Sequence, residues 1–174
     1  MSDNTANHIK EILITLDECG IDFIVCGGIA LVLQGVERFT MDIDLSVDLN
    51  ETNLKKFIDA MHALKLKPRA PVPAISLLDP EIRKMFIEEK NALVFTFFDP
   101  DNPFRQVDMF IPDSLSFEAL KHEIDIITID NHPIKVLNRQ KLLELKESIS
   151  PPREKDIFDI QMLKKVIKAE KTSE

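Results

Sequence analysis

At 174 residues the chain has the size of one ordinary domain, enough to close a core without disulfides or structural metals. Apolar residues make up 44%, charged residues 30%, and the net charge is −8; this is a globular composition, and it argues against holding nucleic acid through a global basic surface. No apolar run approaches the roughly 20 residues needed to span a bilayer. The polar start M-S-D-N-T-A-N-H has neither a secretory nor a transit pattern, so a cytoplasmic protein with no membrane partner is expected. Cys19 and Cys26 read as packing thiols, with no second pair to suggest zinc.

In chain order, residues 8–19 place Ile9, Ile12, Leu13 and Leu16 on one helical stripe, which Gly20 closes. The apolar run Phe23 to Cys26 predicts a buried strand entering a turn at Gly27-Gly28, with a short helix from Ile29 to Gln34. Met41 to Val47 alternates as a strand, Ile43, Leu45 and Val47 facing one way and Asp42, Asp44 and Ser46 the other. Residues 51–65 return to a helical period with Asn50 as N-cap, and Asp79-Pro80 starts another helix. Leu93 to Phe98 and Val107 to Ile111 flank D-P-D-N-P and predict an antiparallel hairpin. A helix over 116–123 precedes a second hairpin, Asp125–Ile129 and Ile134–Leu137. From about Gln140 the chain reads as two helices split by S-I-S-P-P. Interleaved strands and helices make the class mixed α/β (α+β). We expect a core over 1–138 and a helical C-terminal subdomain, 139–174, packed on it.

The chemistry concentrates between Phe23 and Val47. Glycines after a strand let backbone approach a ligand closely, and a helix start offers free N–H groups to phosphate; a tight turn needs the same residues. Asp42 and Asp44, two apart on a strand, project from one face with about 6.6–7 Å between them along the backbone. Two such carboxylates repel unless a cation intervenes, and Mg²⁺ or Mn²⁺ prefers oxygen ligands; the plain alternative is a solvated acidic face. Arg38 and Thr40 share the parity of the pair. Arg38 suits phosphate, or else a salt bridge to Asp42 or Glu37. Asp108 interrupts the apolar run R-Q-V-D-M-F-I, where an isolated carboxylate is costly. If its strand pairs with 41–47, three carboxylates converge. The four histidines are scattered without ligand spacing.

The run G-G-x9-R-x-T-x-D-x-D from Gly27 to Asp44, with Asp108 on a later strand, resembles the nucleotidyltransferase superfamily with the DNA-polymerase-β-like fold. The AbiEii-type branch, which includes toxins of abortive-infection systems, is the most similar in its Gly-Gly pair. L-N-R-Q-K-L-L-E-L-K-E and P-P-R-E-K-D-I-F-D-I-Q-M-L look like that branch's C-terminal helical segment. The resemblance implies a mixed-sheet nucleotidyltransferase fold with helices packed on the sheet. It implies Asp42, Asp44 and Asp108 as metal ligands and catalytic carboxylates, with Mg²⁺ (or Mn²⁺) as cofactor and a nucleoside triphosphate as donor. Gly27, Gly28, Arg38, Thr40 and Lys146 would then serve the nucleotide, with Asp156 orienting Lys146 and Arg153 and Asp159 beside them. Many members carry Gly-Ser in the turn; here Ile29 follows Gly27-Gly28 and one phosphate-binding hydroxyl is missing. The acceptor is open among tRNA, protein and small molecule, and a toxin-like role would bring a cognate antitoxin. The alternatives are a catalytically silent nucleotide-binding module of the same fold and a plain interaction protein.

Overall fold

The computed structural model describes residues 3–173. Its helices are α1 (Asp3–Glu18), α2 (Gly27–Leu33), α3 (Glu51–Ala63), α4 (Pro80–Lys90), α5 (Phe117–Leu120), α6 (Arg139–Glu147) and α7 (Glu154–Ser173). Its strands are β1 (Phe23–Cys26), β2 (Ile43–Val47), β3 (Lys67–Pro68), β4 (Val94–Asp99), β5 (Asn102–Phe110), β6 (Ile124–Ile129) and β7 (His132–Leu137). They form one seven-stranded mixed sheet in the order β3-β4-β5-β2-β1-β7-β6.

Local chemistry sets the element ends much as the residue pattern requires. Gly20 takes φ +61 after α1, the left-handed turn that a helix C-terminus favours. The Asn50 side chain accepts from the Asn53 amide at the start of α3, and Asp79 caps α4 ahead of Pro80. Both hairpins form, β4 with β5 and β6 with β7. The first is tighter than its D-P-D-N-P signal suggests: Asp99 already pairs with Asn102, and after a register shift between Phe98 and Asp99 the regular ladder runs from Phe98↔Gln106 to Val94↔Phe110. The helix expected over 116–123 shrinks to Phe117–Leu120, preceded by a 3-10 turn over Asp113–Leu115. The two-residue strand β3 lies in the Pro-rich segment, where proline spacing hid it.

The two faces of the central strands have different fates. Ile43, Leu45, Val107, Met109, Phe95 and Phe97 are all buried, and Phe97 meets Phe57 of α3 edge-to-face at 5.7 Å. On the opposite parity, Ser46 is covered because its hydroxyl donates to the Leu115 carbonyl at 2.7 Å. Beyond that cover, the same parity carries Asp44, Asp108 and Thr96 on β2, β5 and β4, all half-buried. Among the described residues no helix is long and apolar enough to cross a membrane.

Candidate active site

β2 and β5 run parallel, and their register sets Asp44 directly beside Asp108. Asp108 therefore sits on a central strand, flanked by β2 and β4, and not on an edge. Its carboxylate is held from both ends: Thr96 donates its hydroxyl to Oδ1 at 2.6 Å, and the Gln106 amide donates to Oδ2 at 2.9 Å. Neither Thr96 nor Gln106 stood out in the sequence. The cue was present, since Thr96 interrupts V-F-T-F-F as Asp108 interrupts its own strand, but their pairing needs the hairpin register Thr96↔Asp108.

Asp44 faces the glycine turn. Gly27 takes φ +56, and a β-carbon there would lie 1.8 Å from Asp44 Oδ2. The Gly28 amide points at that oxygen from 3.4 Å. A β-carbon on Gly28 would lie 2.5 Å from Thr40 Oγ1. The close approach that the glycine pair permits is thus made by Asp44 and Thr40, and the Thr40 hydroxyl stands where a serine in the turn would project. Burial, then the neighbouring Asp108, pushes the Asp44 carboxyl up to about 6, with Asp42 adding to the rise and the Gly28 amide and Lys146 opposing it. Cys26, paired with Asp44 across β1 and β2, is buried, and burial followed by the Asp44 charge pushes its thiol upward; it packs and does not react.

Asp42 lies just before β2, exposed. β2 begins only at Ile43, so Arg38, Thr40 and Asp42 precede the ladder. Arg38 accordingly binds neither Asp42 nor Glu37: its Nη1 donates to Asp159 Oδ2 at 2.6 Å, across 121 residues of sequence. Lys146 Nζ lies 2.8 Å from Asp159 and 2.9 Å from Asp156, whose side chains are 1% and 0% exposed. Arg153 clasps Asp156 through Nε at 2.6 Å and Nη2 at 3.1 Å. Arg153, then burial's opposing effect and Lys146, leave the Asp156 carboxyl well below the usual carboxylate range. Three cations thus rest on two buried carboxylates, close enough to Asp44 that its charge raises Arg153 and Lys146 lowers Asp44.

A divalent cation such as Mg²⁺ needs oxygen donors brought close together. Among the described residues no three His, Cys, Asp or Glu side chains are grouped into a ready cage for one. Mg²⁺ seldom needs such a cage, since it is usually bound by one or two carboxylates together with water and substrate phosphates. The paired, mutually repelling Asp44 and Asp108 fit that chemistry.

The chain matches no protein-family model and no curated protein. Solved structures do share its fold. A lincosamide antibiotic adenylyltransferase with lincomycin bound superposes with a TM-score of 0.61 at 17% identity, over 92% of this chain and 96% of that one. The antibiotic-resistance factor ANT(2'')-Ia in solution gives 0.62 at 16% identity, over 99% and 89%. Its crystal structure in complex with adenylyl-2''-tobramycin gives 0.59 at 14% identity, over 95% and 90%. The architecture, a seven-stranded mixed sheet with helices on it, is the nucleotidyltransferase fold.

Proposed function

We propose that this chain is a metal-dependent nucleotidyltransferase that moves a nucleoside monophosphate from a nucleoside triphosphate to an acceptor hydroxyl. The observation that carries the reading is the Asp44–Asp108 register pair facing the glycine turn, with a cation group anchored on Asp156 and Asp159 beside it. The shared fold with two antibiotic-modifying proteins supports it.

Asp44 and Asp108, with Asp42 at the mouth, would hold Mg²⁺ or Mn²⁺, which supplies positive charge against the phosphates and lowers the barrier to attack on phosphorus. Lys146 and Arg38 present positive charge to the triphosphate, and Asp156 and Asp159 keep both side chains from swinging away. Thr40 offers its hydroxyl at the turn. The acceptor oxygen forms a bond to the α-phosphorus as the bond to the pyrophosphate oxygen breaks, in line. Asp108 takes the acceptor's proton. Each Asp108 oxygen already accepts one protein hydrogen bond and keeps a second lone pair for that task.

The Gly-Gly turn and the C-terminal motif support placement near the AbiEii-type branch, with a toxin-like role and a cognate antitoxin. Growth arrest on expression, lost in Asp44→Asn, tests that role. The transferase reading is tested by incubating the full chain with Mg²⁺ and each α-labelled nucleoside triphosphate in cell extract. Label should move onto an acceptor with wild type and not with Asp42→Asn or Asp44→Asn; equal labelling by those variants would overturn the assignment.

A further inference from the structure

A fourth cation stands on the other side of Asp108. Arg69 follows β3, and its amide bonds the Thr96 carbonyl at 2.9 Å, fixing it beside β4. Its guanidinium carbon lies 5.3 Å from the centre of the Phe98 ring. Its Nη2 donates to Gln106 Oε1 at 2.6 Å, and the same amide donates from Nε2 to Asp108. Arg69 and Asp108 are therefore joined through a single carboxamide. Arg38, Lys146 and Arg153 are each tied to carboxylates, whereas Arg69 has no carboxylate partner among the described residues. It is exposed, and a guanidinium carries five N–H donors in a fixed plane, of which the Gln106 bond engages Nη2.

The strand order separates the two sides of the Asp44–Asp108 pair. The glycine turn lies on the β1 side of Asp44, and Arg69 lies on the β3–β4 side of Asp108. On the transferase reading, the triphosphate takes the first side with Arg38 and Lys146. The acceptor then lies over β4 and β3.

We propose that Arg69, set by Phe98 and Gln106, is the acceptor-recognition residue and binds one phosphate or carboxylate of a small acceptor whose hydroxyl is presented to Asp108. This rests on the transferase reading above. One guanidinium in a chain of net charge −8 matches one anionic group and not a polyanion, which needs an array of cations. It also repels an acceptor rich in ammonium groups. The transfer itself is unchanged: the acceptor oxygen joins the α-phosphorus, pyrophosphate leaves, and the proton passes to Asp108.

The test uses the full chain and four probes: ribose 5-phosphate, gluconate, tobramycin and total tRNA. In ¹⁵N NMR with Mg²⁺, ribose 5-phosphate or gluconate should shift the Arg69 Nε–H and the Gln106 side-chain amide, and whichever shifts them more identifies phosphate or carboxylate as the natural group. Arg69→Glu should abolish that response, and in transfer assays should raise KM for the anionic acceptor at least tenfold. Arg69→Lys should restore part of the loss. Silence of both resonances with both anions would overturn the proposal, as would an unchanged KM in Arg69→Glu or preferential labelling of tobramycin or tRNA by wild type. If wild type releases no pyrophosphate with any nucleoside triphosphate, the transferase reading fails with it; transfer to the anionic acceptor that is lost in Asp44→Asn yet keeps its KM in Arg69→Glu sinks the acceptor assignment alone.

Discussion

Asp44 and Asp108 lie side by side on parallel strands as register partners, so that each carboxylate has the other as its neighbour across the sheet. The fold tolerates this at a cost, and that cost is measurable. The Asp44 carboxyl is pushed up to about 6 from its ordinary 3.8, so the native state binds its proton more tightly than the unfolded chain. The cost is absent below about pH 4, grows as the pH rises through 4 to 6, and is complete above that. A shift of about two units is worth about 3 kcal/mol as an upper figure, since solvent reaches the half-buried group. Asp44→Asn should therefore be more stable than wild type at pH 8 by about 1–3 kcal/mol, and equal to it near pH 3.5. Urea unfolding at the two pH values checks this; a difference that persists unchanged at low pH would refute the electrostatic origin.

Thr96 acts on Asp108 from the neighbouring strand. Removing its hydroxyl without changing its shape, in Thr96→Val, leaves the carboxylate held only by Gln106. Partners that orient a ligating or catalytic carboxylate are worth about 10- to 100-fold in metal affinity or activity. Thr96→Val should show a loss of that size in Mn²⁺ affinity by titration and in transfer rate, with thermal stability nearly kept. Thr96→Ser should retain most of both. An unaffected Thr96→Val would mean that Asp108 needs no orienting.

Much of this arrangement was legible in the chain, for physical reasons that differ by residue. Strand alternation gives the face of Asp44 because burial of Ile43 and Leu45 forces it. Before Ile43 no ladder fixes the chain, so alternation alone does not give the directions of Asp42, Thr40 and Arg38. Arg38 takes its direction from Asp159, on a helix far along the sequence. Lys146 and Asp156 were visible through motif likeness, and their contact is a matter of α6 packing on α7. The roles of Gln106 and Arg69 depend on the register of β4, β5 and the unpredicted β3. Local pattern does not carry register between distant segments.

The buried network under Arg38, Lys146 and Arg153 should behave as a structural unit. Asp156 is fully buried and accepts from both Lys146 and Arg153. With its carboxyl held below the ordinary range, its contribution is present above about pH 4 and is lost as the pH falls below that. Asp156→Asn leaves Lys146 and Arg153 less compensated, and breaking a buried pair typically costs about 3–5 kcal/mol. Thermal unfolding should show a loss of that order at pH 7 that narrows on acidification. A loss that is the same at pH 3 and pH 7 would assign the effect to packing and not to charge.

The glycine pair makes the sharpest steric prediction. Gly27→Ala must place its β-carbon 1.8 Å from Asp44 Oδ2 at a φ of +56, so the carboxylate has to leave its place and the backbone is strained as well. Transfer should fall to the level of Asp44→Asn, with at least about 1 kcal/mol lost from stability. Gly28 differs, because its φ is ordinary and its neighbour is the Thr40 side chain, 2.5 Å from the added carbon. Gly28→Ser alone should be impaired by that collision. Coupled with Thr40→Ala it should recover, because the serine hydroxyl then replaces the threonine one at the turn. Measured by transfer rate, Thr40→Ala and Gly28→Ser would each be poor and the double variant better than either. If the double variant is as poor as the sum of the two losses, the Thr40 hydroxyl is not the stand-in for the missing serine, and its role at the turn is packing alone.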